Sequence, residues 1–184
     1  MKKDDKRQRL IDAAYKVFAR KGFNNASIKD IAREAEITPG LVHYYFKSKE
    51  ELLISVQNSI QKSYQQQYAG KETRELKLQE TLEEIKSRVE NDPEWYRWRY
   101  ELFSLGLKDE KLQEELASIL ENGRKSLSMP MKQHTEVNGK EDQLAAILLA
   151  CFDGLALQKM VDKKFDLDGA YQSLIEMLEI YLKK

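Results

Sequence analysis

The chain has 184 residues, of which 41% are hydrophobic and 34% are charged, and its formal net charge is zero. This apolar content is enough for one compact core or two small ones, and it excludes a disordered or collagen-like chain. Only 8 Gly and 3 Pro are present, far fewer than the turns of an all-β protein need. We therefore expect an all-α fold.

The cysteine content and the N-terminal residues point to the cytoplasm. A single Cys cannot form an internal disulfide, and the first ten residues have neither the apolar stretch nor the cleavage site of a signal peptide. The longest apolar run, residues 144–152, is shorter than the roughly 20 residues that cross a bilayer. We expect a cytoplasmic protein without a membrane-spanning segment.

The neutral total conceals two oppositely charged parts of the chain. Residues 1–62 carry 13 Lys and Arg against 8 Asp and Glu, while the remainder carries 18 against 23. A basic segment suits contact with a polyanion, and an acidic one is repelled by it. Any nucleic-acid surface should therefore lie in the N-terminal third, although so small an excess proves nothing alone.

Two helices are predicted at the start of the chain. Apolar residues at helical spacing begin near Leu10 and stop at Gly22. Ser27 can cap a short second helix that ends near Ala35, with Asp30 completing an imperfect capping box. The second helix follows the first after only a short turn.

A third and a fourth helix follow closely. Thr38 and Pro39 can begin the third helix, because the hydroxyl can accept a free amide hydrogen and proline has none to lose. Ser48 can cap the fourth helix, which runs past Tyr64. This order is that of a helix-turn-helix, although a purely structural three-helix unit would show the same apolar spacing.

The rest of the chain also reads as helical, with no strand alternation. A polar loop is predicted over residues 129–139. The predicted helices cover residues 72–91, 93–107, 110–128, 141–163 and 167–181.

Catalytic patterns are missing from the sequence. The chain has two His and one Cys, without a zinc-protease motif, a paired-cysteine motif or a glycine-rich phosphate loop. The carboxylates are scattered over solvent-facing helical positions. We expect a protein that is not an enzyme and that holds no metal and no cofactor.

Residues 7–53 contain a characteristic set of positions, among them Gly22 with Phe23, Thr38 with Gly40, and the run from Ser48 to Leu52. In these positions the segment resembles the DNA-binding domain of the tetracycline-repressor (TetR) family of bacterial transcriptional regulators. Two positions depart from the family pattern: Glu36 stands where Gly is usual, and His43 where Tyr is usual. The resemblance implies a helix-turn-helix domain over residues 1–50 and an effector-binding and dimerisation domain over residues 51–184. The matching residues are Ala13, Ala14, Phe18, Gly22, Phe23, Ile31, Ala32, Thr38, Gly40, Phe46, Ser48, Lys49, Glu50, Glu51 and Leu52.

The third helix is the candidate for reading DNA bases. Leu41, Val42, Tyr45 and Phe46 can hold it to the core, which leaves the opposite side of the helical wheel for a major groove. The alternative is that the helix-start residues are only caps and surface charges. With the positions that the resemblance adds, the predicted DNA contacts are Ser27, Thr38, Pro39, Gly40, His43, Tyr44 and Lys49.

An aromatic stretch, residues 95–103, contains both tryptophans of the chain. Such a stripe is more often core, but aromatic side chains also line cavities for small hydrophobic ligands. The resemblance implies an effector pocket in this region. The candidate pocket residues are Tyr64, Trp95, Trp98, Phe103, Phe152 and Met160.

The last two predicted helices are apolar on more than one side, which suggests that a second subunit covers one of these sides. The resemblance implies a homodimeric repressor that leaves double-stranded operator DNA when a small hydrophobic effector moves the fourth helix. The alternative function is that of a DNA-binding or architectural protein with the same fold and no effector. The alternative to a dimer interface is that the last helices include a buried central helix of a monomer. The predicted interface residues are Leu148, Leu155, Tyr171, Leu174 and Leu178.

Overall fold

The computed structural model describes residues 3–68, 78–131 and 139–182, and every regular element within these ranges is an α-helix. The expected all-α fold is confirmed. The described helices are α1 (Lys3–Lys21), α2 (Ile28–Glu34), α3 (Pro39–Tyr45), α4 (Lys49–Tyr68), α5 (Leu78–Asn91), α6 (Pro93–Gly106), α7 (Glu110–Met131), α8 (Glu141–Val161) and α9 (Leu167–Leu182).

One predicted boundary is wrong. The loop expected from residue 129 begins later, because α7 continues through Met131. Leu127 and Met131 lie four residues apart on one face of the helix, and both side chains are buried. Their burial favours one more turn of helix. The rest of the predicted loop up to residue 138, and residues 72–77 of the predicted fifth helix, lie outside the described residues.

The chain divides into two compact units. The first unit contains α1 to α4 together with Arg97–Glu101 of α6, and the second contains α5, the remainder of α6, and α7 to α9. The boundary that we placed between residues 50 and 51 falls in the first turn of α4. The structure moves it beyond this helix, because α4 packs along α1.

The first unit is built around α1, whose apolar face contacts both α2 and α4. Its core is mainly apolar where these helices meet, and α3 adds Val42, which holds the third helix in place. The buried side chains at this centre are Leu10, Ala14, Phe18, Ile31, Val42, Phe46, Leu52 and Val56.

A short stretch of α6 completes this core. Trp98 is 2% exposed and stacks on Phe18 with ring centroids 6.0 Å apart, and its indole N–H donates to Gln57 Oε1 at 3.3 Å. Glu101 Oε1 accepts a hydrogen bond from the Phe23 amide at 2.6 Å. Gly22 ends α1 with φ +77°, and a Cβ there would lie 3.2 Å from Glu101 Oε1. Glycine adopts this left-handed backbone without strain, and its lack of a Cβ leaves room for the Glu101 carboxylate.

The second unit has α8 at its centre, in contact with α5, α7 and α9. Phe152 of α8 stacks on Tyr171 of α9, with centroids 5.8 Å apart and ring planes 8° from parallel. Lys86 of α5 pairs with Asp168 at the start of α9, at 3.1 Å. These contacts tie the last two helices to the rest of the unit.

By length and composition α8 would be able to cross a membrane. A central helix of a folded unit passes the same test, and α8 packs on three other helices. Its apolar character is therefore weak support for a membrane span. The expectation that the chain lacks one stays a prediction.

The start of α2 is fixed by a network around Asp30. Ser27 Oγ accepts from the Asp30 amide at 3.1 Å, and the Asp30 carboxylate accepts from the Ser27 amide at 3.2 Å, so the capping box is complete. Asp30 also pairs with Lys21 at 2.8 Å and with Arg33 at 2.7 Å. The Lys21 ammonium, helped by the Ser27 donors, holds the pKa of Asp30 well below its usual range.

This network predicts a pH-dependent stability. Because the pKa of Asp30 is lower in the folded chain, its charge stabilises the fold above the ordinary value of 3.8. That contribution is lost as the pH falls toward the folded value. We expect Asp30→Asn to melt below the wild type at neutral pH, and the difference to shrink below about pH 4. Circular dichroism melting curves from pH 7 downward measure this difference.

The exposed Asp12 provides a matched control, since Asp12→Asn removes a carboxylate of the same unit from α1. We expect Asp12→Asn to have a smaller effect at neutral pH. A difference between Asp30→Asn and the wild type that stays constant at every pH at which both fold would contradict the assignment.

Candidate nucleic-acid interface

The outer side of α3 is exposed, and its inner side is buried. Val42 and, just past the helix end, Phe46 lie in the core, as the helical wheel predicted. On the other side, Pro39, Gly40 and His43 are exposed. A Cβ added at Gly40 would meet nothing within 4 Å. The helix therefore presents one open face.

Tyr44 is the largest side chain on this face and is 65% exposed. Its ring contacts that of Tyr45 edge-on, with centroids 5.1 Å apart. The half-buried Tyr45 thus supports an aromatic ring that projects from the surface. The Tyr44 ring and its hydroxyl are presented together for contact with another molecule.

Thr38 begins α3 differently from our expectation. It has the extended backbone of an N-cap residue, but its side chain makes no cap hydrogen bond, so the predicted capping by its hydroxyl is wrong. Pro39 at the first helical position has no amide hydrogen to satisfy, which reduces the need for a cap. The exposed Thr38 hydroxyl therefore stands beside the open face of α3.

Lys49 occupies a structural position that the sequence did not reveal. Its Nζ donates to the carbonyl oxygens of Phe23 at 2.7 Å and Ala26 at 3.1 Å, and it lies 4.4 Å from the centre of the Phe23 ring. An ammonium group has three N–H donors, so one remains after these two bonds. Lys49 joins the start of α4 to the turn between α1 and α2.

The charge around this surface is mainly positive. Residues 37–49 contain Lys47 and Lys49 but no Asp or Glu. Upstream, Glu34 pairs with Arg20 of α1 at 2.6 Å, which neutralises that carboxylate and joins α2 to α1. Within residues 37–49 a polyanion would therefore meet no acidic side chain, and the exposed carboxylate just before α3 is that of Glu36.

The predicted pocket residues are not brought into one cluster by the structure. Trp98 lies in the core of the first unit, whereas Trp95 belongs to the second unit, where the Arg88 guanidinium carbon lies 5.6 Å from its ring centre. Phe152 is buried against Tyr171. Phe103 and Met160 are half-buried, and the side chain of Tyr64 lies outside the described residues.

The predicted dimer residues lie mostly inside the second unit. Leu148, Tyr171, Leu174 and Leu178 are buried by their own chain, and Leu155 is half-buried. These buried leucines and the tyrosine are not available to a partner, which corrects their proposed place in an interface. The apolar side chains that α8 and α9 do expose are Ile147, Leu157, Val161, Met177, Ile180 and Tyr181.

Two features of the structure could not be predicted from the sequence. The exposed apolar face of α9 has the same helical spacing as its buried face, so the pattern could not say which one the chain covers itself. Glu101 contacts the Phe23 amide across 78 residues of sequence, and no local pattern marks such a contact.

Comparison with known proteins shows what the N-terminal part of the chain is similar to. Residues 10–56 match the family model described as bacterial regulatory proteins, tetR family. The HTH-type transcriptional regulator YuxN of Bacillus subtilis is 44% identical over 54 residues, which are 29% of this chain and 19% of that protein. The chain spans less than a third of the length of the curated relatives it matches.

Solved structures are similar over nearly the whole chain. A choline complex from Saccharomonospora viridis has a TM-score of 0.78 at 22% identity, covering 96% of this chain and 97% of that one. FadR of Bacillus subtilis with stearoyl-CoA has a TM-score of 0.72 at 22% identity, covering 93% and 96%. At this identity the likeness establishes the fold. Residues 10–56, which contain the helix-turn-helix, therefore match the tetR family of bacterial regulatory proteins, while the rest of the chain is similar to the solved structures in fold alone.

Proposed function

We propose that the chain is a cytoplasmic, DNA-binding transcriptional repressor. The observation that carries this proposal is the open face of α3, within the residues that match the family. The major groove of DNA admits an α-helix, and base edges there offer hydrogen-bond donors and acceptors. Gly40 lets the backbone approach closely, while His43 and Tyr44 carry polar groups on flat rings.

Contacts to phosphates would hold this helix in register. Ser27, Thr38 and Lys49 are the candidates, because hydroxyl and ammonium donors commonly bind phosphate oxygens. Ser27 would first have to release the O–H that it donates to Asp30 Oδ2 at 2.8 Å. Ser27 and Thr38 are exposed, and Lys49 is half-buried with one N–H left. Pro39, which also lies on the open face, would contribute apolar contact. These assignments remain part of the proposal.

The base-reading residues are tested on a site selected from random duplex DNA. We expect the site to be a dyad with half-site centres roughly 34 Å apart, if two copies of the chain read it. His43→Ala and Tyr44→Ala should each weaken binding to it by about 1–3 kcal/mol, and weaken binding to random DNA much less. Fluorescence anisotropy of labelled duplexes measures both affinities.

Two controls sharpen this experiment. Tyr44→Phe keeps the ring and removes the hydroxyl, so it separates stacking from hydrogen bonding. Gln113→Ala removes an exposed polar side chain from α7 in the second unit and should leave both affinities unchanged. Equal affinities of wild type, His43→Ala and Tyr44→Ala for the selected site would refute the assignment of α3.

Lys49 should affect both stability and DNA binding. Lys49→Ala removes two hydrogen bonds to backbone carbonyls and should lower the free energy of unfolding by about 1–3 kcal/mol. If its remaining N–H binds a phosphate, the slope of log affinity against log salt should fall by about one. Lys47→Ala, at an exposed neighbouring lysine, should leave the unfolding free energy unchanged. An unchanged salt slope for Lys49→Ala would leave only its structural role.

We further propose that two copies of the chain pair through the exposed apolar faces of α8 and α9. Met177 and Ile180 of α9 are 61% and 62% exposed, an unusual state for such side chains on one helix face. Ile147 and Val161 extend the apolar surface on α8. A Cβ at Gly154, midway between them, would meet nothing within 4 Å, so a partner helix has room to approach.

Charge placed on this surface should separate the copies. Met177→Glu with Ile180→Glu would bury unpaired carboxylates between subunits, at a cost of several kcal/mol, so we expect monomers with an intact fold. Sedimentation velocity measures the assembly state, and circular dichroism measures the fold. Leu107→Glu, at a 79% exposed residue after α6, is the control and should leave assembly unchanged. A double variant that still sediments as a dimer would place the interface elsewhere.

A small hydrophobic effector completes the proposal. Trp95, Phe103, Phe152 and Met160 of the second unit are the side chains that we propose would line its site, whereas Trp98 lies in the core of the first unit. Two proteins of similar fold were solved in complex with choline and with stearoyl-CoA, which supports a ligand site in this chain. The movement of α4 by the effector remains the proposed route to DNA release.

The effector is sought by thermal shift with long-chain acyl compounds, quaternary amines and aromatic metabolites. A compound that raises the melting temperature should weaken affinity for the selected site about 5- to 150-fold, which corresponds to a coupling of about 1–3 kcal/mol. Phe103→Ala should reduce this effect, and Leu107→Ala should not. Release of DNA by none of these classes would favour the ligand-independent alternative on the same fold.

A further inference from the structure

The turn between α2 and α3 contains an unusual residue. Glu36 has φ +53°, and it is the only non-glycine residue with a positive φ in the described part of the chain. Left-handed backbone is unfavourable for any residue with a Cβ, and acidic residues with long side chains seldom adopt it. The position therefore calls for an explanation beyond local preference.

The surrounding hydrogen bonds define why the backbone turns here. The Glu36 amide donates to the Arg33 carbonyl at 3.1 Å, and the Ile37 amide donates to the Ala32 carbonyl at 2.9 Å. This pair of bonds is the Schellman ending of a helix, in which the residue at the position of Glu36 is usually glycine. The turn needs the left-handed backbone but does not need a carboxylate.

The Glu36 side chain contributes little to the stability of the fold. It is 87% exposed, and its Oε2 lies 3.8 Å from Nη2 of the partly exposed Arg9. That guanidinium is held more closely by the Ala35 carbonyl, at 2.6 Å. Exposed ion pairs at such a distance stabilise proteins weakly. Neither packing nor pairing accounts for the charge at this position.

The charge does lie beside the proposed DNA surface. Glu36 precedes Thr38 by two residues, and Cα atoms follow one another at about 3.8 Å, so the two Cα atoms are within about 8 Å. Residues 37–49 contain no acidic side chain, and Glu34 is paired with Arg20. Glu36 is thus the exposed carboxylate next to the start of α3.

We infer that Glu36 limits the affinity of this surface for DNA by repelling the phosphate backbone. The inference rests on the proposed function. A like charge about 8 Å from one phosphate in water changes affinity by about twofold, and a lower effective dielectric at the interface strengthens the effect. The repulsion acts on any sequence, so it weakens non-specific binding and leaves base contacts to decide where the protein stays.

The experiment compares a graded series at position 36 in the full chain, on a random-sequence duplex and on the selected site. Glu36→Gln removes the charge but keeps a left-handed residue with a side chain of the same length. We expect it to bind random DNA about two- to fivefold more tightly at low salt, and Glu36→Lys more tightly still. The difference should shrink between about 50 and 200 mM salt.

Two further variants separate charge from backbone strain. Glu36→Gly relieves the left-handed backbone, so it should raise the melting temperature as well as the affinity. Glu114→Gln, at an exposed position of α7, changes the net charge equally and should bind like the wild type.

Each other outcome contradicts a defined claim. If the wild type binds DNA and Glu36→Gln binds equally, the inference is wrong while the proposed function stands. Tighter binding by Glu36→Gly alone would assign the effect to the backbone and also overturn the inference. A wild type that binds neither duplex refutes the proposed function, and the inference falls with it.

Discussion

The burial of two side chains, Val42 and Phe46, makes the exposed face of α3 possible. Helices shorter than about 12–15 residues are marginal in water, and α2 and α3 have seven residues each. Val42 is fully buried, Phe46 is 2% exposed, and the Arg7 guanidinium carbon lies 5.0 Å from the Phe46 ring centre. Because the inner face supplies the stability, the outer face is free to carry residues chosen for contact with another molecule.

Charged groups hold the turn between α1 and α2. The amide and the carbonyl of Phe23 are both held, the first by the Glu101 carboxylate and the second by the Lys49 ammonium. These groups come from α6 and α4, so two distant parts of the sequence fix one turn between α1 and α2. Asp30 acts similarly at the start of α2, where it joins the capping box to Lys21.

Local signals carried much of the fold and part of the candidate surface. The spacing of Leu10, Val17 and Phe18 marked α1, and Ser27 with Asp30 marked the start of α2, because capping and periodicity act over a few residues. Long-range partners left no such mark. Lys49 binds the carbonyl oxygens of Phe23, 26 positions earlier in the sequence, and of Ala26, 23 positions earlier. Nothing in the residues next to Lys49 predicts these two partners.

The same limit explains the misplaced interface residues. On α9 the apolar residues form two faces, and Leu174 and Leu178 differ from Met177 and Ile180 only in which neighbours cover them. Periodicity identifies both faces but cannot tell which one the chain buries itself. At α7, the polar composition of residues 129–139 predicted a loop, but the helix continues to the buried Met131 because tertiary packing outweighs the local preference.

The separation of the two tryptophans gives the protein a built-in optical probe in each unit. Trp98 is buried, hydrogen-bonded to Gln57 and stacked on Phe18. Trp95 is half-exposed, and the Arg88 guanidinium lies over its ring. Their emission should differ in colour, since an indole in water emits at longer wavelength than one in an apolar core. Variants that keep one indole each would therefore show, without any label, whether the two halves of the chain unfold as one cooperative block or in succession.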